Sequence, residues 1–246
     1  MDNSESHTIY LSVIVPAYNE EDRIELTLRS IHAYLSQHGY SFEVIVVNDG
    51  SKDRTSQVVS RLISEFPYIR LIDNNENRGK GWAVKQGMLS AKGEIRLFMD
   101  ADSSTSIDQF ERMIPYFEKG FDVVIGSRRI SGAVISVHQP WLRENMGRIV
   151  NSLVRIVCGI PMQDTQAGFK AFSSTAAEKV FPLQTIWRWI FDVELLVISR
   201  RLGLRVKEVP IVWKNDERSN VKFKHTIETL RDIIKIRLNE MYGVYG

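Results

Sequence analysis

Apolar residues in the first half of the chain gather into short runs separated by stretches of helical periodicity. Residues 10–15, 42–47, 68–73, 95–99 and 123–125 are compact runs, several rich in β-branched side chains, and predict five strands. Between the first two, residues 21–38 place Leu28, Ile31 and Leu35 at helical spacing. Further helices are predicted from Asp53 to Phe66, from the Gly79-Lys80-Gly81 turn to Ala91, and over 106–119. Strands alternating with helices at short spacing imply an α/β fold with a mostly parallel sheet flanked by helices on both faces. Ligands of such a sheet bind beyond the carboxyl ends of its strands. Residues 16–20, Asp49 and Asp102 all fall there.

After Gly126 the alternation weakens. Residues 127–140 read as a loop, 141–158 as an amphipathic helix, 162–172 as a loop with a short strand, 187–202 as a helix and 206–211 as a strand. A basic loop and a last helix over 224–242 follow. Leu142, Met146, Ile149, Val150, Leu153, Val154 and Val157 share one broad helical side. Ile227, Leu230, Ile233, Ile234, Leu238 and Met241 form a second such pattern. These C-terminal amphipathic helices either pack on the core or lie in a membrane interface. Trp187, Trp189 and Trp213 serve either setting. Without repeats or flexible linkers, the chain reads as a polar tail (1–9) and one domain (10–246). That domain has a donor and metal half (10–126) and an acceptor half (127–246).

Size and composition narrow the field. At 246 residues and 43% hydrophobic content the chain can bury one large core. A net charge of +2 favours no particular partner, and the absence of a long basic tract argues against nucleic acid. Cys158 is the only cysteine, which excludes an internal disulfide and a cysteine-rich zinc site. Its neighbours Ile156, Val157 and Ile160 predict a buried thiol. The N-terminus is polar and acidic rather than a signal peptide, and no unbroken apolar run is long enough to predict a spanning helix.

Asp100-Ala101-Asp102, at the exit of the fourth strand, suggests a divalent-cation site, although Asp102, Ser103 or Ser104 would equally cap a helix. Asp49, in Asn48-Asp49-Gly50-Ser51, suits a base or ribose, but Asp-Gly is also a common turn. Gly79-Lys80-Gly81 is a compact turn with one cation, and lacks the Walker spacing. Pro16-Ala17-Tyr18-Asn19-Glu20 replaces the Gly-rich dinucleotide fingerprint at the first strand's exit. Familiar NAD or ATP sites are therefore disfavoured. Arg128, Arg129, Lys170, Arg218 and Lys222 are candidate phosphate contacts, and each also reads as ordinary surface charge. Asp164 and Asp192 are base candidates should the acceptor be a sugar hydroxyl, whereas Asp192 and Glu194 do not share a helical face. Asp100 and Asp102 also superficially match a haloacid-dehalogenase-like phosphatase, and the amphipathic helices alone would fit a noncatalytic membrane adaptor.

The segments from Val13 to Glu21 and Val47 to Asp53, with Asn77-Arg78-Gly79-Lys80-Gly81 and Asp100-Ala101-Asp102, resemble the inverting family 2 glycosyltransferases of the GT-A fold. The resemblance implies a nucleotide-sugar donor and Mg2+ or Mn2+. It places Pro16, Tyr18, Glu20 and Asp49 around the base and ribose, with Lys80 nearby. Asp100 falls in the ribose or metal region, Asp102 is the metal ligand, and Ser104 takes a third, neutral ligand position. Asp164-Thr165-Gln166-Ala167-Gly168-Phe169-Lys170 resembles the acceptor motif of polyprenyl-phosphate glycosyltransferases. Residues 191–196, 218–222 and 230–239 are similar to the dolichyl-phosphate β-glucosyltransferase branch. That branch implies UDP-glucose and a polyprenyl phosphate acceptor, with GDP-mannose or a glycan acceptor as alternatives. Lys170 and Arg128 become the preferred acceptor contacts, with Arg218 and Lys222 in a loop that closes over substrate. The implied location is peripheral, on the cytoplasmic face of a membrane, with a membrane-protein partner or a soluble population alongside.

Overall fold

The apolar runs of the first half form β1 (Leu11–Ala17), β2 (Phe42–Asp49), β3 (Ile69–Asn74), β4 (Ile95–Met99) and β5 (Val123–Ser127). The computed structural model describes residues 8–137, 141–215 and 225–246. Helices α1 (Ile24–Leu35), α2 (Thr55–Glu65) and α3 (Lys80–Ser90) join the first four strands. β2, β1 and β4 lie side by side and parallel, with β3 outside β2. Buried on both faces, β1, β4 and β5 need apolar side chains at nearly every position, which is why their sequences run rather than alternate. Within β1 the pleat still sorts them: Leu11, Val13 and Val15 face the core under α1 and α2, while Ile14 faces the core under α3.

The predicted helix over 106–119 is broken into a 3-10 segment, Ile107–Arg112, and α4 (Ile114–Glu118). Pro115 sits in the first turn of α4, where its missing N–H costs nothing, and it cannot continue the preceding segment. The second half contains β6 (Val134–Val137), α5 (Trp141–Cys158), β7 (Phe169–Ser173), α6 (Ser174–Leu183), α7 (Phe191–Arg201), β8 (Val206–Pro210), β9 (Val212–Lys214) and α8 (His225–Met241). β7 inserts antiparallel between β4 and β5, and β8 closes the far edge, giving the order β3-β2-β1-β4-β7-β5-β8. β6 and β9 pair in a separate two-stranded sheet. Two further expectations are corrected here. The loop read over 127–140 holds β6, and the helix read from Trp187 begins at Phe191.

β7 brings the second half of the chain into the sheet between two strands of the first. Its register sets Lys170 opposite Phe98 of β4 and Ile125 of β5. Cys158 is buried as expected, and burial pushes its thiol up to about 11. α5 and α8 pack against one another. Val154 and Cys158 of α5 and Ile233 and Ile236 of α8 face the core. Ile149, Leu153, Ile156 and Val157 of α5, with Leu230, Ile234, Leu238 and Met241 of α8, face outward. Ile149 and Ile156 are 69% and 81% exposed, so the apolar side is broader than the core covers. The side chains of Leu142, Met146 and Ile227 lie outside the described set. No described helix is long and apolar enough to cross a membrane.

Candidate active site

The carboxyl ends of three adjacent parallel strands carry the candidate donor residues. β1 pairs with β4 only as far as Ile14, so Pro16 stands beyond that ladder, where its lack of an N–H is tolerated. Asn19 takes a left-handed φ of 55°. Its amide N–H donates to Ser51 Oγ at 2.9 Å, and its side-chain oxygen accepts from the Lys52 N–H at 2.8 Å. The Glu20 N–H donates to Thr55 Oγ1 at 2.8 Å. These bonds tie the segment after β1 to the turn after β2. The Glu20 carboxylate takes two Arg23 N–H bonds at 2.6 Å, yet burial holds its pKa above the ordinary range. Tyr18 stands half exposed at the rim.

Asp49, at the end of β2, is buried. Its two oxygens accept from the backbone N–H groups of Arg78 at 2.9 Å and Gly79 at 2.7 Å. Burial still pushes the carboxyl up, against those bonds and the nearby charges of Arg188 and Arg78. Gly50 is required beside it. Its φ is +70°, and a Cβ there would meet the Glu76 backbone at 2.5 Å.

Beyond β4 the chain turns sharply. Thr27 Oγ1 donates to the Ala101 carbonyl at 2.6 Å and contacts Ser103 Oγ at 2.8 Å, holding Ser103 at a φ of 55°. Asp102 accepts from the Ser104 N–H at 2.9 Å. Its carboxyl is pushed up, first by burial and then by the Asp100 charge. Lys80, at the start of α3, pairs with Asp100. Burial works against the Lys80 charge, but Asp100, Asp192 and Asp102 outweigh it and hold the ammonium above its ordinary range.

A cation fits this corner, because it would relieve the carboxyl that burial and like charge disfavour in ionised form. Among the described residues no group of three His, Cys, Asp or Glu is arranged to hold a metal. Asp102, with Asp100 and Ser104 beside it, would leave the remaining positions to ligand oxygens and water.

Gly168 packs directly on this corner: a Cβ there would lie 2.1 Å from Asp100 Oδ2. Gly168→Ala must displace Asp100 or β7's approach to it. It is expected to lower turnover about 100-fold, since misplacing a reacting group by an ångström has that scale of effect. The measurement is kcat with the folded state checked by circular dichroism.

Arg128 and Lys170, two of the candidate phosphate contacts, are partnered. Arg128, just past β5, forms a fork with Asp164: Nε to Oδ2 at 2.7 Å, Nη2 to Oδ1 at 2.8 Å, with the Arg128 N–H adding 2.9 Å. Its guanidinium lies over the Trp213 ring at 5.3 Å and its side chain keeps 23% exposure. Burial favours the neutral Asp164 carboxyl, but the Arg128 charge and bonds prevail and lower its pKa. A depressed carboxyl stabilises the fold above its ordinary pKa of 3.8, and the contribution fades as pH falls through the lower folded value. Asp164→Asn should therefore lower the thermal midpoint at neutral pH, and the gap from wild type should narrow on acidification. Lys170 is fully buried, donating to the Ala167 carbonyl and to Asp192 Oδ1, the latter at 2.8 Å. Its ammonium points inward. Arg129 is half buried, and among the described residues its Nε has no hydrogen-bond partner. Arg218 and Lys222 lie outside the described residues.

The structure thus gathers Lys80, Asp100, Asp102, Arg128, Asp164, Lys170 and Asp192 into one electrostatic neighbourhood. Neither Thr27 nor Gly168 was singled out by the sequence: a hydroxyl in a helix carries no local signature, and Gly168 read only as part of the 164–170 motif.

Residues 12–181 match Glycosyl transferase family 2. This chain belongs to that family. It is 38% identical over 239 residues to dolichyl-phosphate beta-glucosyltransferase ALG5D of Trichomonas vaginalis, covering 93% of this chain and 73% of the relative. The Saccharomyces cerevisiae dolichyl-phosphate beta-glucosyltransferase is 32% identical, with 99% and 79% covered, and the Homo sapiens one 33%, with 98% and 79%. Among solved structures, mannosyl-3-phosphoglycerate synthase from Rubrobacter xylanophilus aligns with a TM-score of 0.70 at 16% identity, covering 95% of this chain and 75% of that one. Glucosyl-3-phosphoglycerate synthase from Mycobacterium tuberculosis, in complex with Mn2+, UDP-glucose and phosphoglyceric acid, aligns at 0.65 and 21%, covering 94% and 79%. At those identities the likeness is one of fold, and the fold is GT-A. Family membership makes the chain a glycosyltransferase and sets aside the phosphatase and adaptor readings.

Proposed function

We propose that this family 2 enzyme transfers glucose from UDP-glucose to a polyprenyl phosphate of the dolichyl type, inverting the anomeric centre to give a β-linked lipid phosphate sugar and UDP. The named activity of its relatives supports the sugar and the lipid. One structural observation carries the choice of a phosphate acceptor. Asp100 is paired with Lys80, Asp164 with Arg128 and Asp192 with Lys170. Each of these carboxylates is engaged by a cation rather than free to face a sugar hydroxyl. A phosphomonoester needs no base, because its second pKa of about 6 leaves it largely ionised.

In this reading Asp49, buried and fixed by the Arg78 and Gly79 amides, receives the base, and Pro16, Tyr18 and Glu20 line the rest of the nucleoside pocket. Asp102, with Asp100 and Ser104 beside it, would hold a divalent ion, Mg2+ or Mn2+, which neutralises the charge left on the departing diphosphate. Lys80 adds a fixed positive charge at the same corner. The exposed edge of Arg128 faces the acceptor phosphate, joined by Arg218 and Lys222, while Lys170 acts through Asp192. Attack by a phosphate oxygen from the face opposite UDP forms the new C1–O bond as the old one breaks.

The outward stripes of α5 and α8, with exposed Arg148, Arg231, Lys235 and Arg237 beside them, suit the headgroup region of a cytoplasmic membrane face. The enzyme would sit there peripherally, alone or against a membrane-protein partner. The division into a donor half and an acceptor half meeting at β7 belongs to the same reading.

The assay is transfer of label from UDP-glucose, with GDP-mannose in parallel, to a short polyprenyl phosphate in detergent with Mn2+. A charged lipid product from UDP-glucose supports the reading. Transfer only from GDP-mannose retains the chemistry and overturns the sugar.

A further inference from the structure

A buried acid in the acceptor half has no part in the chemistry above. Glu194, in the first turn of α7, is fully buried. Its carboxylate accepts from the Thr185 N–H at 3.0 Å, Thr185 Oγ1 at 2.7 Å, the Ile186 N–H at 2.7 Å and the Tyr245 hydroxyl at 2.7 Å. Asn239 of α8 donates to both Thr185 Oγ1 at 3.0 Å and the Tyr245 hydroxyl at 3.2 Å. Tyr245 is itself fully buried. These donors are neutral, so hydrogen bonds rather than an ion pair hold the side chain in place. A buried carboxylate so fully wrapped fixes the backbone it binds.

That backbone leads straight to the donor pocket. Trp187 and Arg188 follow Ile186. The Trp187 carbonyl accepts from the Trp82 N–H at 3.2 Å, and the two indoles lie 4.9 Å apart. A Cβ on Gly79 would meet the Trp187 carbonyl oxygen at 2.4 Å and Arg188 Cγ at 2.9 Å. Gly79 is the residue whose N–H holds Asp49 Oδ2 at 2.7 Å. Arg78, Thr185, Ile186, Trp187, Arg188, Asp232 and Lys235 enclose a cleft of about 370 Å³ on this side. The acceptor half thereby supplies one support of the donor pocket, and the C-terminal residues after α8 brace that support.

We infer that Glu194 and Tyr245 are positioning residues for the nucleoside diphosphate: they pin the Thr185–Ile186 backbone so that Trp187 and Arg188 hold the Gly79–Asp49 contact in place. This rests on the donor reading above. Glu194→Gln puts an amide donor where both oxygens now accept from N–H groups. Tyr245→Phe removes one hydroxyl and keeps the ring.

The test is titration calorimetry of UDP with Mn2+ on wild type, both variants and Trp187→Ala, alongside kcat and the separate donor and acceptor KM values. For Glu194→Gln we expect UDP affinity about tenfold weaker, or ~1.4 kcal/mol, and a matching rise in donor KM. Tyr245→Phe should shift the same quantities less, in the same direction, with acceptor KM unchanged in both. Trp187→Ala should weaken UDP binding as well, and adding Glu194→Gln to it should cost less than the two effects combined. A lower thermal midpoint with unchanged UDP affinity would make the network merely structural and overturn the inference alone. Wild-type protein that does not bind UDP would overturn the donor reading and this inference with it.

Discussion

Asp102→Ala is expected to cut transfer by about 1,000-fold or more, because one group that stabilises transition-state charge is worth roughly 10²–10³ and Asp102 would also lose the ion. The fold should not suffer. Asp102 makes its described hydrogen bond to the Ser104 N–H, and its ionised form is disfavoured by burial and by Asp100. Removing it relieves a like-charge contact, so the thermal midpoint should hold or rise slightly. UDP affinity in the presence of Mn2+ should fall, and affinity in the presence of a chelator should change little. A variant that keeps about a tenth of wild-type turnover would show that the metal corner lies elsewhere.

Lys170→Ala is expected to act chiefly on stability, the opposite pattern. Lys170 and Asp192 are both buried and 2.8 Å apart. Breaking such a pair leaves one charge uncompensated in the interior, at a cost of about 3–5 kcal/mol. Combining Lys170→Met with Asp192→Leu should recover most of that loss, since exchanging a whole buried pair for apolar side chains of similar volume is often neutral. Urea denaturation of the single and double variants measures both effects. Unchanged stability with a raised acceptor KM would instead return Lys170 to direct contact with the acceptor phosphate.

The Lys170 case shows where sequence reasoning stops. A lysine in a motif shared with phosphate-binding enzymes reads as a phosphate contact. Its partner, Asp192, stands 22 positions away, and only the insertion of β7 between β4 and β5 brings the two together. Arg128 and Asp164 tell the same story across 36 positions. The two-residue offset between Asp192 and Glu194 was legible as a difference of face, and the structure sends one to Lys170 and the other to Thr185 and Tyr245.

Strands β1 to β5 were legible because each is buried on both faces or paired with a near neighbour, so local composition reports the burial. β6 and β9 were not. They are short and largely half exposed, and each exists only because the other lies beside it. The start of α7 was misread because Trp187 and Trp189 extend an apolar pattern, while Glu194 and Gln184 tie up the preceding backbone in a loop. At the proposed donor site the carboxylates stand at strand exits, as the order of runs and acids in the sequence implied. The geometry that turns Asp100 and Asp102 toward one corner was not legible, because it depends on Thr27 and Gly168 from distant elements.

In the proposed reaction glucose leaves UDP and arrives, inverted, on a lipid phosphate oxygen. Purified protein would be incubated with UDP-glucose, Mn2+ and either polyprenyl phosphate or the matching polyprenol, and the lipid product examined by phosphorus and proton NMR. The expected result is a phosphodiester signal replacing the phosphomonoester, with the anomeric coupling of a β-glucoside and no product from the polyprenol. An α-linked product, or glucose delivered to the polyprenol hydroxyl, would refute inverting transfer to a lipid phosphate.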